Sequence, residues 1–165
     1  MKTMRFAEGF KILPVLAPQD IVATATATSY VDLDNANWCS FWVPFGSLTT
    51  DVTDTITITV ECSTAGTSNA TEAAIAFYSR LSSAVNTDTL GAIVTNTSTG
   101  VAITATDDNK GVWIDVDPSA VAASAADRRF VRLVITPSAG IGACLVQATA
   151  FLETRFTGNS IPSST

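Results

Sequence analysis

The chain has 165 residues, a length that fits one domain and buries enough surface to form a core without disulfides or metals. Charged residues are scarce at 15%, while 25 threonines and 24 alanines lean the composition towards β structure. The net charge of −6 argues against direct binding to nucleic acid, because that binding needs basic side chains to displace counterions from phosphates.

Residues 1–20 are predicted to form an extended N-terminal arm. Pro14 and Pro18 interrupt a short apolar stretch, and proline is confined to extended or edge segments because it lacks a backbone donor. The arm either lies across a neighbouring subunit or is a frayed terminus. Neither a signal peptide nor an apolar run of ~18 residues is evident, so we expect no membrane partner.

From residue 21 the apolar side chains recur at every second position, which is typical of strands. Strands are expected over 21–28 and 38–45. The clearest alternation covers 55–62, where Ile56, Ile58, Val60 and Cys62 share one face. Residues 72–81 are ambiguous between helix and strand, and strand is favoured.

The second half of the chain continues this pattern, with short strands over 89–94, 101–105 and 112–116. One short helix is expected over 118–124, because Asp117 can cap it and proline is tolerated at its first position. Two long strands follow, joined by a loop over 137–142. The pattern predicts an all-β, antiparallel sandwich, jelly-roll-like, over 21–157, followed by a polar tail over 158–165.

No catalytic constellation is evident, so the chain is predicted not to be an enzyme and to need no cofactor. It contains no histidine, which excludes Ser-His-Asp and Cys-His hydrolases and most zinc sites. Neither nucleotide-binding motifs nor G-x-S-x-G occur. Three acidic pairs are interpreted as turn, cap or solvent-facing residues, with a catalytic pair or a calcium site as the alternatives: Asp32/Asp34, Asp107/Asp108 and Asp115/Asp117.

The cysteines, tryptophans and a basic cluster are the other candidates. Cys39, Cys62 and Cys144 are interpreted as buried free thiols, since an odd number closes no disulfide framework. The three tryptophans, Trp38, Trp42 and Trp113, are expected to be core or subunit-contact residues, with a sugar-binding platform as the alternative. Arg128, Arg129 and Arg132 either grip an acidic neighbour or lie solvated where a strand begins.

Three segments resemble small proteins encoded beside the major capsid gene of tailed bacteriophages. The segments are Glu8 to Asp20 (EGFKILPVLAPQD), Ala74 to Arg80 (AIAFYSR), and Trp113 to Asp117 (WIDVD) with Arg129 to Leu133 (RFVRL) beyond the short helix. The alanine and threonine run over 23–28 has no place in that pattern.

The resemblance implies a head decoration or cement protein, made in the host cytoplasm and located in the virion on the outer capsid surface. Its expected partners are the major capsid protein and itself, as a homotrimer. The expected contact residues are Phe10, Ile12, Leu13, Pro14, Leu16, Trp38, Trp42, Arg128 and Arg129. A receptor- or carbohydrate-binding module of a fibre or tail is the alternative.

Overall fold

The computed structural model describes residues 10–22, 24–49, 54–68 and 71–155. The described chain forms twelve strands, one α-helix and one short 3-10 turn at Ala105–Asp107. The strands are β1 (Phe10–Asp20), β2 (Thr26–Ala27), β3 (Val31–Asp32), β4 (Ala36–Thr49), β5 (Thr55–Ser63), β6 (Ala73–Ile75), β7 (Phe77–Leu81), β8 (Val94–Asn96), β9 (Val101–Thr104), β10 (Gly111–Val116), β11 (Phe130–Pro137) and β12 (Ala143–Thr154), and the helix is α1 (Pro118–Ser124).

The strands form two sheets that pack face to face as an antiparallel sandwich. Sheet A has the order β1-β12-β4-β10-β7-β8. Sheet B is built on the pair β11-β5, with β2 and β3 along the free side of β11 and β6 and β9 along the free side of β5. This arrangement confirms the predicted all-β sandwich with one short helix.

Alternating side chains from both sheets form one core. In β5 the four predicted inward residues are fully buried, whereas the threonines between them are partly exposed. The inward residues of β4, β10, β11 and β12 join the same buried cluster. Removing each such side chain from water contributes about 1.5–3 kcal/mol, which makes this cluster the main source of stability.

Helix α1 has the predicted bounds and the predicted cap. The carboxylate of Asp117 accepts a hydrogen bond from the backbone N–H of Ser119 at 2.8 Å, and Pro118 occupies the first helical position. Val121 is buried against the core. Residues 72–81 are extended, as favoured, because Ile75 and Phe77 enter the core from β6 and β7.

The strand predicted over 21–28 is much shorter than expected. Among its described residues, only Thr26 and Ala27 pair, with β11 of sheet B. Ile21 is buried, and its backbone N–H donates to the carbonyl of Cys144 in sheet A at 2.9 Å. This segment therefore crosses between the two sheets, and a crossing chain cannot maintain a long ladder within either one.

Residues 10–20 of the predicted arm are extended and form the edge strand β1, which pairs with β12 of the same chain. The register shifts between Pro14 and Leu16 and again between Leu16 and Gln19. Prolines at an edge strand interrupt the ladder there because they offer no donor. The predictions for residues 1–9 and for the tail over 158–165 lie outside the described residues.

Candidate functional site

The outward face of sheet A carries a cluster of aromatic side chains. Residues directly opposite each other in paired strands share a face, so the register sets the neighbours. One cross-strand row contains Arg80, Trp113, Trp42, Thr149 and Pro14. The next contains Tyr78, Asp115, Ser40, Phe151 and Ile12. A third contains Trp38, Glu153 and Phe10. We call the six aromatic members Phe10, Trp38, Trp42, Tyr78, Trp113 and Phe151 the aromatic face.

The rings at the centre of this face contact one another. The ring centroids of Trp42 and Trp113 are 5.1 Å apart with planes tilted by 38°, and those of Trp113 and Phe151 are 5.4 Å apart at 49°. Tilted pairs at such distances are favourable by about 0.5–1.5 kcal/mol beyond their buried area. The rings are thus held in place before any partner binds.

None of the three tryptophans belongs to the core. Each is half-buried on the outward face: both strand neighbours of Trp42 and of Trp113 point inward, as does Cys39 beside Trp38. The expectation of a core role is therefore wrong for Trp38, Trp42 and Trp113, while subunit contact and a sugar-binding platform both stay predictions. Tyr78 is 41% exposed and Phe10 is 37% exposed, so the surroundings of the tryptophans are also accessible.

The carboxylate of Asp115 lies in the middle of the aromatic face. Asp115 is opposite Ser40 on β4 and Tyr78 on β7, and two residues after Trp113 on its own strand. Its Oδ1 accepts a short hydrogen bond from Ser40 Oγ and a second from Trp38 Nε1 at 3.4 Å. The carboxylate is thereby fixed among the rings.

The outward face of sheet B is chemically different. Its β5 positions are Thr55, Thr57, Thr59 and Glu61, and its main charged residue is Arg132. A surface cleft of about 370 Å³ lies beside Arg132 and Tyr30. Arg132 Nη2 is 2.9 Å from carboxylate oxygens of both Glu61 and Glu72, and Nη1 donates to Ser68 at 2.8 Å. These partners occupy the guanidinium, so Arg132 links β11 to Glu61 of β5, to Glu72 and to Ser68.

The predicted contact residues of β1 lie on two different faces. Phe10, Ile12 and Pro14 point outward and are exposed. Leu13 and Leu16 pack against the core, because they lie opposite the inward residues Ala150 and Ala148 of β12. Leu13 and Leu16 are thus partly buried on the inward side of β1, and a contact of either with a partner stays a prediction.

Arg128 and Arg129 lie at the start of β11 and form contacts within the chain. Arg128 Nη1 is 3.4 Å from Ser124 Oγ and 3.8 Å from Cys62 Sγ. Arg129 Nε is 3.5 Å from Asp32 Oδ1, and its guanidinium lies over the ring of Phe130. The structure does not bring either arginine to the aromatic face, and their contact with an acidic neighbour stays a prediction.

Tyr78, Phe151 and Asp115 are members of this site that the sequence prediction of contact residues missed. The alternation along β7, β10 and β12 predicts that these three residues point outward. It does not predict that β4 lies between β10 and β12, and this pairing is what places the three residues beside Trp38 and Trp42. That pairing joins residues more than 70 positions apart in the sequence.

Asp32, Asp107 and Asp117 accept the local turn and cap hydrogen bonds expected of them, whereas Asp108 and Asp115 accept from residues of β4. Asp32 accepts from the backbone N–H of Asp34, and Asp107 accepts from Thr104. Asp108 accepts a short hydrogen bond from the backbone N–H of Leu48. Within the described ranges, no three acidic or cysteine side chains are grouped so that they could hold a metal ion.

All three cysteines are free and buried, as predicted. Burial, and to a smaller extent the Asp115 carboxylate, raise the pKa of Cys39 far above its ordinary value. Burial also raises the pKa of Cys144 to about 11, with smaller contributions from Asp20 and Asp108. Thiols that stay protonated and covered do not act as nucleophiles.

Comparisons with known proteins leave the family open. No protein-family model and no curated protein matches the sequence. Among solved structures, the chain is similar to one described as "Structure of infectious bursal disease virus Gt strain", with 9% identity and a TM-score of 0.27. The match covers 88% of this chain and 42% of that one, so this chain spans less than half of its length. No helix in the described ranges has the length and apolar character to cross a membrane.

Proposed function

We propose that the chain is a non-enzymatic structural virion protein that binds the outer surface of a tailed-phage capsid and stabilises the lattice of the major capsid protein. The observation that carries the proposal is the aromatic face of sheet A, with its central rings in mutual contact. Monomeric proteins rarely expose large apolar patches, and such patches mark sites of protein interaction. Aromatic residues are also enriched in interface centres.

The sequence resemblance supplies the identity of the partner in this proposal. Three of the segments that resemble phage decoration proteins contribute to the aromatic face: residues 8–20 through Phe10, residues 74–80 through Tyr78 and residues 113–117 through Trp113. A homotrimer bound to the lattice is the arrangement that the resemblance implies. The outward part of β1, with Phe10 and Ile12, extends the same apolar surface to the sheet edge.

The proposal is tested by sedimenting capsids of the phage that carries the gene with and without the purified chain. We expect the chain to co-sediment with capsids and to raise the temperature at which they open. Phe151→Ser removes a ring from the aromatic face, and Phe130→Ser makes the same change on the outward face of sheet B. Loss of co-sedimentation with the first variant and not the second supports the proposal. A folded chain that binds no capsid contradicts it.

A second function is favoured by the outward orientation of the tryptophans. Tryptophan rings on an open sheet face can stack on sugar rings, while Asp115 and Ser40 offer hydrogen-bonding groups. In this alternative the chain is a receptor- or carbohydrate-binding module of a fibre or tail. A glycan array probed with the wild type and with Trp113→Ala separates the two functions, because only this one predicts a tryptophan-dependent glycan signal.

A further inference from the structure

We propose that the aromatic face binds its protein partner through an arginine side chain, whose guanidinium lies over the tryptophan rings and pairs with Asp115. The inference rests on the proposed function, because it names the chemistry of the partner at the same face. It assigns docking to the outward face of sheet A and requires a basic group on the surface of the partner protein.

The free oxygen of Asp115 is the first observation. Both hydrogen bonds recorded for this carboxylate end on Oδ1, from Ser40 and Trp38. Its Oδ2 has no hydrogen-bond partner among the described residues, and the residue is partly exposed. The carboxylate therefore keeps one unpartnered acceptor, oriented by the two donors on its other oxygen.

The rings around that oxygen favour a cation. Trp113 and Tyr78 neighbour Asp115 along and across the strands, and Trp38 donates to it. The face of an aromatic ring attracts a cation, most strongly for tryptophan. A guanidinium is planar and weakly hydrated, so it stacks on rings at less cost than an ammonium group.

The same arrangement occurs twice inside this chain. Arg132 lies over the ring of Tyr30 at 4.8 Å and pairs with Glu72. Arg129 lies over Phe130 at 5.0 Å and pairs with Asp32. The aromatic face has the rings and the carboxylate of this arrangement. Its own Arg80 directs Nε to the carbonyl of Gly91 at 3.0 Å and is not among the arginines over rings in the described chain.

Charge complementarity points to the same occupant. The chain carries a net charge of −6, and on the outward face of sheet A the carboxylates of Asp115 and Glu153 outnumber the guanidinium of Arg80. An acidic partner surface would meet like charges there, whereas a basic one is attracted. Buried interface centres are enriched in arginine together with aromatic residues.

The test uses the full chain and three acetylated, amidated tripeptides, Gly-Arg-Gly, Gly-Lys-Gly and Gly-citrulline-Gly. The chain has three tryptophans, so a ¹⁵N-labelled sample gives three indole N–H signals in nuclear magnetic resonance spectra. We expect the arginine peptide to shift the indole signals of Trp38 and Trp113. The neutral citrulline peptide should bind about tenfold more weakly, as expected for loss of a desolvated cation–π contact and its ion pair.

Two variants with the same chemical change separate the site from the overall charge. Asp115→Asn keeps an oxygen for Ser40 and Trp38 and removes the negative charge, and we expect about tenfold weaker arginine binding. Asp127→Asn makes the same change in the exposed turn between α1 and β11 of sheet B and should leave binding unchanged. Amide spectra of both variants check that each is folded.

Specific outcomes overturn the inference. The inference is wrong if the citrulline and arginine peptides bind equally well, because the site then does not select a cation. It is also wrong if a folded Asp115→Asn protein binds the arginine peptide as the wild type does. Indole shifts caused by an oligosaccharide and not by the arginine peptide assign the face to sugars instead. Capsid binding without arginine binding defeats only this inference, whereas arginine binding without capsid binding defeats only the proposed function.

Discussion

The indole ring of Trp42 lies directly over the backbone of Gly111, its diagonal neighbour across the β4–β10 pair. A Cβ placed on Gly111 would be 2.2 Å from Cη2 and 2.4 Å from Cζ2 of Trp42. Glycine is therefore required here for close approach of a ring to the strand. The contact holds Trp42 flat on the sheet, where its other neighbour is Trp113.

Gly111→Ala should displace the ring of Trp42 and destabilise the protein by about 1–3 kcal/mol, the usual cost of overpacking. In a Trp42→Val background the same change should cost little, because the obstacle has gone. Urea unfolding of the four proteins in this double-mutant cycle measures the difference. Equal costs in both backgrounds would show that the ring is not the reason for glycine at this position.

Replacing Arg132 by methionine should destabilise the sandwich far more than the same change at Arg129. The Arg132 side chain is 13% exposed and bridges Glu61 and Glu72, so its loss leaves two carboxylates facing each other. We expect a cost of about 2–3 kcal/mol, typical of hydrogen bonds to charged groups. Arg129 is 51% exposed, with one ion pair at 3.5 Å and its guanidinium over the ring of Phe130, so its cost should stay below about 1 kcal/mol. Similar unfolding midpoints for both variants would contradict this.

We expect the free energy of unfolding to fall at high pH, because Tyr30 then loses its proton. Burial, and next its hydrogen bond to Glu72, raise the pKa of Tyr30 to about 12. The unfolded chain therefore loses this proton at lower pH than the folded chain does. The stabilisation is complete below about pH 10, the ordinary tyrosine value, and is lost as the pH rises towards 12.

The phenolate absorbance of a Tyr78→Phe variant measures this titration directly, because Tyr30 is then the one tyrosine left of two. A midpoint near 12 is expected for the folded protein. Tyr30→Phe should remove the corresponding decline in stability. A midpoint at the ordinary value near 10 would show that burial and Glu72 do not hold the proton.

The three thiols should be inert towards a thiol reagent at neutral pH while the protein is folded. Each cysteine has a relative exposure of 0%, and the raised pKa values of Cys39 and Cys144 keep both thiols protonated. All three should react once guanidinium unfolds the chain. A Ser83→Cys variant, at an exposed position, supplies a reactive control. Rapid reaction of a native thiol would indicate a local opening of the sandwich.

Several local features followed from the sequence because their causes are local. The cap of α1 depends on Asp117 and Pro118, which are adjacent to the helix they start. The faces of β5 follow from alternation within nine residues. The strand expected over 21–28 had the same alternation, yet no ladder runs along it, because Ile21 and Thr26 belong to different sheets.

The sequence by itself determined that the protein is β-rich, which residues share a face of each strand, and where the helix begins. The tertiary structure alone decided which of those faces is covered. Alternation distinguishes the two sides of a strand. It does not tell which side is covered when both carry apolar residues, as here with tryptophans outward and isoleucines inward. Only the long-range pairing of β4 with β10 and β12 placed Trp42, Trp113 and Phe151 together on the side that the sandwich leaves open.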